Sequence, residues 1–290
     1  MALVRNLDKV RKRFEQVMDR EDLKFIHQDI TTPFSFEDPI DYIIHAASQA
    51  SSMHFSRDPV GTLKANTIGT AHLLDLAKEK GIKKFLFFSS GEVYGMIDHS
   101  VDCIDESYIG NVNCIDVRSC YAESKRMGEN MCACWAYQYN LPMNIIRVGY
   151  TYGPGISLSD DRVIANFVNN IIHNKNIVLH SDGSAKRSFC YITDMICAVF
   201  LILLNGKNGE VYNAASNVQT SILDLSKMLL RLYPEKGLSL EFVENKFGKQ
   251  YLGSQRKNTL VCTEKIRTLG WDMKVSVDIG FKRMVKSYQD

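Results

Sequence analysis

Short apolar runs alternate with stripes at helical spacing along the first half of the chain. Runs over 2–6, 23–28, 41–45, 84–90 and 143–148 have strand length and are bounded by polar or turn residues. Segments 60–80 and 118–139 between them carry apolar residues at helical spacing, and Gly81 stops the first. After the first run, Val10, Phe14 and Val17 also keep helical spacing, so Lys9, Arg11, Lys12 and Arg13 read as a solvated helix face. This alternation predicts an α/β fold around a parallel sheet. Ligands of such sheets bind beyond the strand C-termini. Asp29, Ala46, Ala47 and Ser90 stand at those ends.

Beyond Gly153-Pro154 the pattern loosens. Helices are expected over 161–174, 221–232 and 278–289, with a short strand over 177–179 and one over 210–213 that returns to the sheet. These elements predict a smaller second lobe interleaved with the first. The most apolar stretch, 192–204, is interrupted by Asp194 and is shorter than the roughly 20 residues of a membrane span. It reads as a buried helix, and no membrane role is expected.

The net charge is +2 with no basic block, which argues against nucleic acid as a partner. Eight cysteines raise the question of metal or disulfides. No Cys-x-x-Cys pair or ligand-spaced histidine pair occurs, so no metal site is expected. The thiols read as small buried side chains in a reducing cytoplasm, and no signal peptide is seen.

Candidate chemistry concentrates in two segments. One is Ser89-Ser90-Gly91-Glu92-Val93-Tyr94-Gly95 and the other is Ser119-Cys120-Tyr121-Ala122-Glu123-Ser124-Lys125. Tyr121 and Lys125 share a helix face. A phenol with a pKa of about 10 is a poor base at neutral pH, and a neighbouring lysine cation is expected to lower it. Ser90 supplies a hydroxyl for the substrate oxygen. Together they suit removal of an alcohol proton while hydride leaves the same carbon. Glu92, two residues beyond Ser90, is a candidate general acid or base. His45 reads as a structural histidine among apolar neighbours.

On these residues the chain resembles the extended short-chain dehydrogenase/reductases, in the nucleotide-sugar epimerase, dehydratase and decarboxylase group. The resemblance also rests on His45-Ala46-Ala47, Asp58-Pro59, Asn66-Thr67-Ile68-Gly69-Thr70, Tyr152-Gly153-Pro154-Gly155, the stretch from Lys186-Arg187-Ser188-Phe189 to Asp194, and Leu269-Gly270-Trp271. It implies a Rossmann-like doubly wound sheet. A dinucleotide-binding domain would span 1–150, with 188–217 returning to it. A substrate lobe would take 151–187 and 218–290. None of the chain's 18 glycines forms, near the N-terminus, the glycine-rich phosphate turn of the family's first βα unit. The expectation is a family member lacking that unit.

The resemblance further implies NAD, or NADP given Arg5 at the end of the first strand. Asp29, Ile30, Ala46, Ala47, Ser89, Tyr121 and Lys125 would contact the cofactor. Arg187, Arg256 and Tyr150 would contact a nucleotide-diphosphate sugar, although the family commonly has asparagine at the Tyr150 position. Gly91 stands where dehydratases carry the first acid of an Asp-Glu pair, while Ser90 and Glu92 suit the decarboxylase pattern. Decarboxylation or dehydration after oxidation at C4 is therefore favoured, with 4-epimerisation as an alternative and a non-catalytic binding or pairing remnant as another. A homodimer is expected through the two long helices, with Met127, Met131, Cys134 and Trp135 as its seam.

Overall fold

The computed structural model describes residues 1–98, 100–160, 162–243 and 260–289. The chain opens with β1 (Ala2–Val4), α1 (Leu7–Arg13) and β2 (Phe25–His27). Asn6 caps α1 by accepting from the Lys9 amide at 2.9 Å. β3 (Tyr42–His45) leads to α2 (Ser52–Arg57), α3 (Pro59–Asn66), α4 (Ile68–Lys80) and β4 (Lys84–Ser90). The one helix expected over 60–80 is thus two. Thr67 interrupts it, its hydroxyl donating to the Leu63 carbonyl at 2.7 Å. Asp58 and Pro59 start α3, and Gly81 ends α4 at φ 58, where a side chain would be strained.

β5 (Cys103–Ile104) precedes α5 (Cys120–Tyr139) and β6 (Met143–Val148). Next come β7 (Tyr150–Tyr152), α6 (Val163–Ile172), β8 (Ile177–Leu179), β9 (Lys186–Arg187) and β10 (Phe189–Tyr191). The rest comprises α7 (Ile192–Asn205), β11 (Val211–Ala214), β12 (Thr220–Ser221), α8 (Ile222–Leu232), β13 (Leu240–Phe242), β14 (Leu260–Val261), α9 (Glu264–Arg267) and α10 (Val277–Lys286).

The central sheet is parallel in the order β11-β6-β4-β3, as the strand–helix alternation predicts. Helices cover both faces. One face presents Phe85, Phe87, Met143 and Ile145 to a core shared with Leu73, Leu74 and Ala77 of α4. The other presents Leu86 and Ile146 to Met195, Ala198 and Ile202 of α7. Burial on both faces explains why β4 reads as a continuous apolar run. β1 and β2 form a separate parallel pair, and no described strand joins them to β3. A further core gathers Tyr152, Phe167, Phe189, Leu229 and Phe281 from β7, α6, β10, α8 and α10.

The cysteine expectation needs correction. Cys103 and Cys262 form a disulfide, with Cα atoms 5.5 Å apart and a separation of 159 positions in sequence. Parallel pairing of β5 with β14 brings them together, a contact invisible to local spacing. The other six cysteines are free. No described helix is long and apolar enough to cross a membrane.

Candidate active site

β4 carries the chain to Ser90 at its C-terminal end. The Ser90 hydroxyl accepts from the Glu92 amide at 3.2 Å and so caps the 3-10 turn Gly91–Tyr94. Helix α5 begins at Cys120, so Tyr121 and Lys125 fall in its first turns on the buried face. A side-chain hydrogen bond joins Tyr121 to Ser90. Phe55 of α2 stacks on the Tyr121 ring at 4.8 Å between centroids, which fixes the ring plane. The fold thereby brings Ser90, Glu92, Tyr121 and Lys125 to one strand end.

Their electrostatics differ from the sequence expectation. Burial pushes the Tyr121 phenol up to about 12, against the hydrogen bond from Ser90. Lys125 was expected to lower it. Instead its ammonium lies 5.9 Å from the Tyr121 ring centroid and donates to the Phe88 carbonyl at 2.6 Å. Lys125 is only 2% exposed, and desolvation lowers it to about 7. Burial is the largest cause of the shift for both groups. A lysine near 7 is divided between amine and ammonium at neutral pH, so its amine form can act as a base there.

Glu92 meets a partner that sequence reading missed. Arg118 Nη2 lies 3.0 Å from Glu92 Oε2, and both side chains are largely buried. The Arg118 guanidinium also packs over Phe55, 4.9 Å from its centroid. A stack of Arg118, Phe55 and Tyr121 therefore walls the site. The clue was available, because Arg118 lies three residues before Tyr121, one helical turn away.

Of the residues assigned to a cofactor, Asp29 follows β2 and accepts from the Thr31 amide and hydroxyl, both at 2.8 Å. Those donors hold its carboxyl below the usual range. Ala46 and Ala47 are exposed beyond β3. Ile30 is buried under Gly69, and its carbonyl is bonded to the His72 ring at 2.8 Å. The Ser89 hydroxyl is turned away into the protein, donating to Glu129 at 2.5 Å. An acidic acceptor, two small exposed residues and the Tyr121–Lys125 pair fit the adenosine and nicotinamide ends of a dinucleotide. No glycine-rich turn for its diphosphate stands among the described residues.

Arg187 lies in β9, part-exposed, with Nη1 donating to the Lys186 carbonyl at 2.8 Å. Tyr150 in β7 meets Phe189 edge-on at 5.2 Å. Arg256 lies outside the described residues. His45 is buried against Phe87 and bonded to the Thr70 hydroxyl at 2.9 Å. Burial lowers it to about 3 and keeps it neutral, as suits a structural histidine. No metal-holding cluster occurs among the described residues.

The model of the NAD dependent epimerase/dehydratase family matches residues 4–215. The chain belongs to this family. It is therefore an enzyme of the NAD-dependent epimerase/dehydratase type. UDP-glucuronic acid decarboxylase 5 of Arabidopsis thaliana is 32% identical over 266 residues, covering 92% of this chain and 74% of that protein. UDP-glucuronic acid decarboxylase 1 of Xenopus tropicalis is 30% identical over 290 residues, all of this chain and 66% of that one. Among solved structures, the dTDP-glucose 4,6-dehydratase DesIV of Streptomyces venezuelae, with NAD and TYD bound, superposes with a TM-score of 0.81. It is 26% identical, over 96% of this chain and 83% of that chain. The UDP-glucuronic acid 4-epimerase of Bacillus cereus, solved with UDP-glucuronic acid and NAD, gives 0.80 at 23% identity, over 96% and 85%, and supports the fold.

Proposed function

We propose that this enzyme acts on a UDP-linked uronate, UDP-glucuronate, oxidising C4 and then releasing the C6 carboxylate as carbon dioxide. The observation that carries this reading is Glu92 beside Tyr121 and Ser90, tied to Arg118 with no second acid at Gly91. Bound NAD would supply the hydride acceptor at C4. Asp29 and the exposed Ala46–Ala47 turn would hold its adenosine end, and Tyr121 and Lys125 its nicotinamide ribose. Dinucleotide binding is placed in 1–150 with 188–217, and sugar binding in 151–187 and 218–290.

Ser90 orients the C4 hydroxyl. Tyr121 is a neutral phenol at rest, so it gives its own proton toward the amine form of Lys125 as it takes that of the C4 hydroxyl and the carbon is oxidised. A ketone at C4 makes the C6 carboxylate that of a β-keto acid, so the C5–C6 bond breaks without a second acid. C5 is then protonated by Glu92, the acid at hand, and return of the hydride to C4 with a proton from Tyr121 would restore the C4 hydroxyl. A 4,6-dehydration needs two groups at C5 and C6, and Gly91 removes one of that pair and leaves Glu92. Arg187, with Tyr150 and Arg256, is assigned to the nucleotide diphosphate, for which a guanidinium fork is suited.

The enzyme is assigned as a homodimer through α3, α4 and α5. Val60, Leu63, Ile68 and Met127 are exposed there, whereas Leu74 is wholly core. Light scattering that shows a monomer at micromolar concentration would remove the dimer. The test of function is incubation with NAD and, separately, UDP-glucuronate, dTDP-glucose and UDP-glucose, with products read by mass. Loss of carbon dioxide from the uronate is expected. Loss of water from dTDP-glucose, or an isomer of unchanged mass, would overturn the reading.

A further inference from the structure

A cleft bordered by Ala122, the residue after Tyr121, is lined by Glu92, Met96, Asn111, Asn113, Asp116 and Arg118, among others. Arg118 is the only cationic side chain among the residues that line it, facing two carboxylates. It is anchored from behind. Its own amide donates to Asp116 at 2.9 Å, and Phe55 supports the guanidinium plane. Its Nη2 reaches Glu92. A uronate whose C4 hydroxyl meets Tyr121 carries its carboxylate on C5, the neighbouring ring carbon. That anion would enter a cleft that already holds Glu92 and Asp116, and like charges brought together there are strongly unfavourable without a cation.

We infer that Arg118 is the specificity residue for the substrate carboxylate, and that it exchanges Glu92 for that carboxylate when the sugar binds. The inference rests on the uronate reading above and names the group that enforces it. In the free enzyme Arg118 and Glu92 neutralise each other. The arriving carboxylate takes the guanidinium, and Glu92 turns toward C5 and takes up one proton from solvent. Loss of carbon dioxide leaves the electron pair of the broken C5–C6 bond delocalised over C5 and the C4 oxygen. Glu92 gives its proton to C5 and becomes a carboxylate again. The product has no carboxylate, so Arg118 returns to Glu92. One solvent proton is consumed for each carbon dioxide released, which balances the step. The exchange also explains why an acid that must act late is held by an arginine at rest.

The test is ground-state binding, measured by calorimetry with UDP-glucuronate and UDP-glucose on the full chain, so that no turnover is required. Arg118→Gln should weaken the uronate roughly ten- to a hundredfold, the worth of a charge-assisted pair, and leave UDP-glucose within about twofold. Glu92→Gln should tighten the uronate by about threefold or more, because the competitor for Arg118 has lost its charge. Arg118→Lys, which keeps the charge, guards against loss of fold and should fall between wild type and Arg118→Gln. Circular dichroism melts on all three confirm folding. A uronate preference that survives Arg118→Gln, or a Glu92→Gln enzyme that binds the uronate more weakly, overturns the inference alone. Wild-type enzyme that binds UDP-glucose as tightly as the uronate overturns the uronate reading, and this inference with it.

Discussion

Replacing Lys125 by methionine should make the protein more stable while removing its chemistry. Lys125 is buried, and desolvation lowers it from 10.5 to about 7. Below pH 7 the folded chain must hold the charged form in the interior, which the unfolded chain does not. At roughly 1.4 kcal/mol per pH unit of displacement this costs the fold about 5 kcal/mol there. Methionine has similar length and no charge. It forfeits the hydrogen bond to the Phe88 carbonyl, worth about 1 kcal/mol. The variant should therefore gain several kcal/mol at neutral or lower pH. The sign with pH is specific. Between the folded value of about 7 and the unfolded 10.5, the unfolded chain binds the extra proton, so wild-type stability rises with pH. From about pH 7.5 to about pH 9.5 the advantage of Lys125→Met should shrink by about 2 to 3 kcal/mol. Urea unfolding of both proteins across this range measures it, and the difference cancels groups common to both. A difference that stays flat with pH would show that Lys125 is not held near neutrality, and the proton-passing role built on it would fall.

Three further outcomes follow from other groups. His45 is held at about 3 against an ordinary 6.5, so it contributes stability above pH 6.5 that is lost as pH falls toward 3. Urea unfolding of His45→Gln should lack that acid slope, and an unchanged slope would mean another group is responsible. Arg147 forms a two-pronged pair with Glu129 at 2.9 and 2.7 Å, both side chains nearly buried. Arg147→Met should cost about 3–5 kcal/mol in urea unfolding because Glu129 is left charged and buried, and the double replacement with Glu129→Met should recover most of it. Tyr121→Phe fills the same space, so its melting temperature should stay close to wild type while NADH absorbance in a single turnover disappears. A normal burst would remove Tyr121 from the mechanism.

The parallel sheet and the Ser90–Tyr121–Lys125 arrangement were legible because they depend on local signals. Apolar run length gave β4 and β6, and the i, i+4 spacing put Tyr121 and Lys125 on one face of α5. What was hidden depends on the third dimension. The break at Thr67 arises from a hydroxyl that competes for a helical carbonyl, which a long apolar stripe conceals. The Arg118–Glu92 pair joins residues 26 apart, and Cys103–Cys262 residues 159 apart. The direction of the Tyr121 shift was misjudged for a related reason. Spacing shows that a lysine is near, but only the packed structure shows that burial outweighs it. Ser89 stood beside Ser90 in sequence, yet strand alternation sends its hydroxyl to Glu129 on the opposite side.

The central claim is that oxidation at C4 by the Ser90–Tyr121–Lys125 group releases the C6 carboxylate and that an acid then protonates C5. It is tested most directly by giving the enzyme NAD and UDP-glucuronate labelled with carbon-13 at C6, in heavy water. The account predicts labelled carbon dioxide and a UDP-pentose bearing one deuterium at C5, with neither formed by Tyr121→Phe. Labelled carbon retained in the sugar nucleotide, or carbon dioxide released equally by Tyr121→Phe, would contradict it.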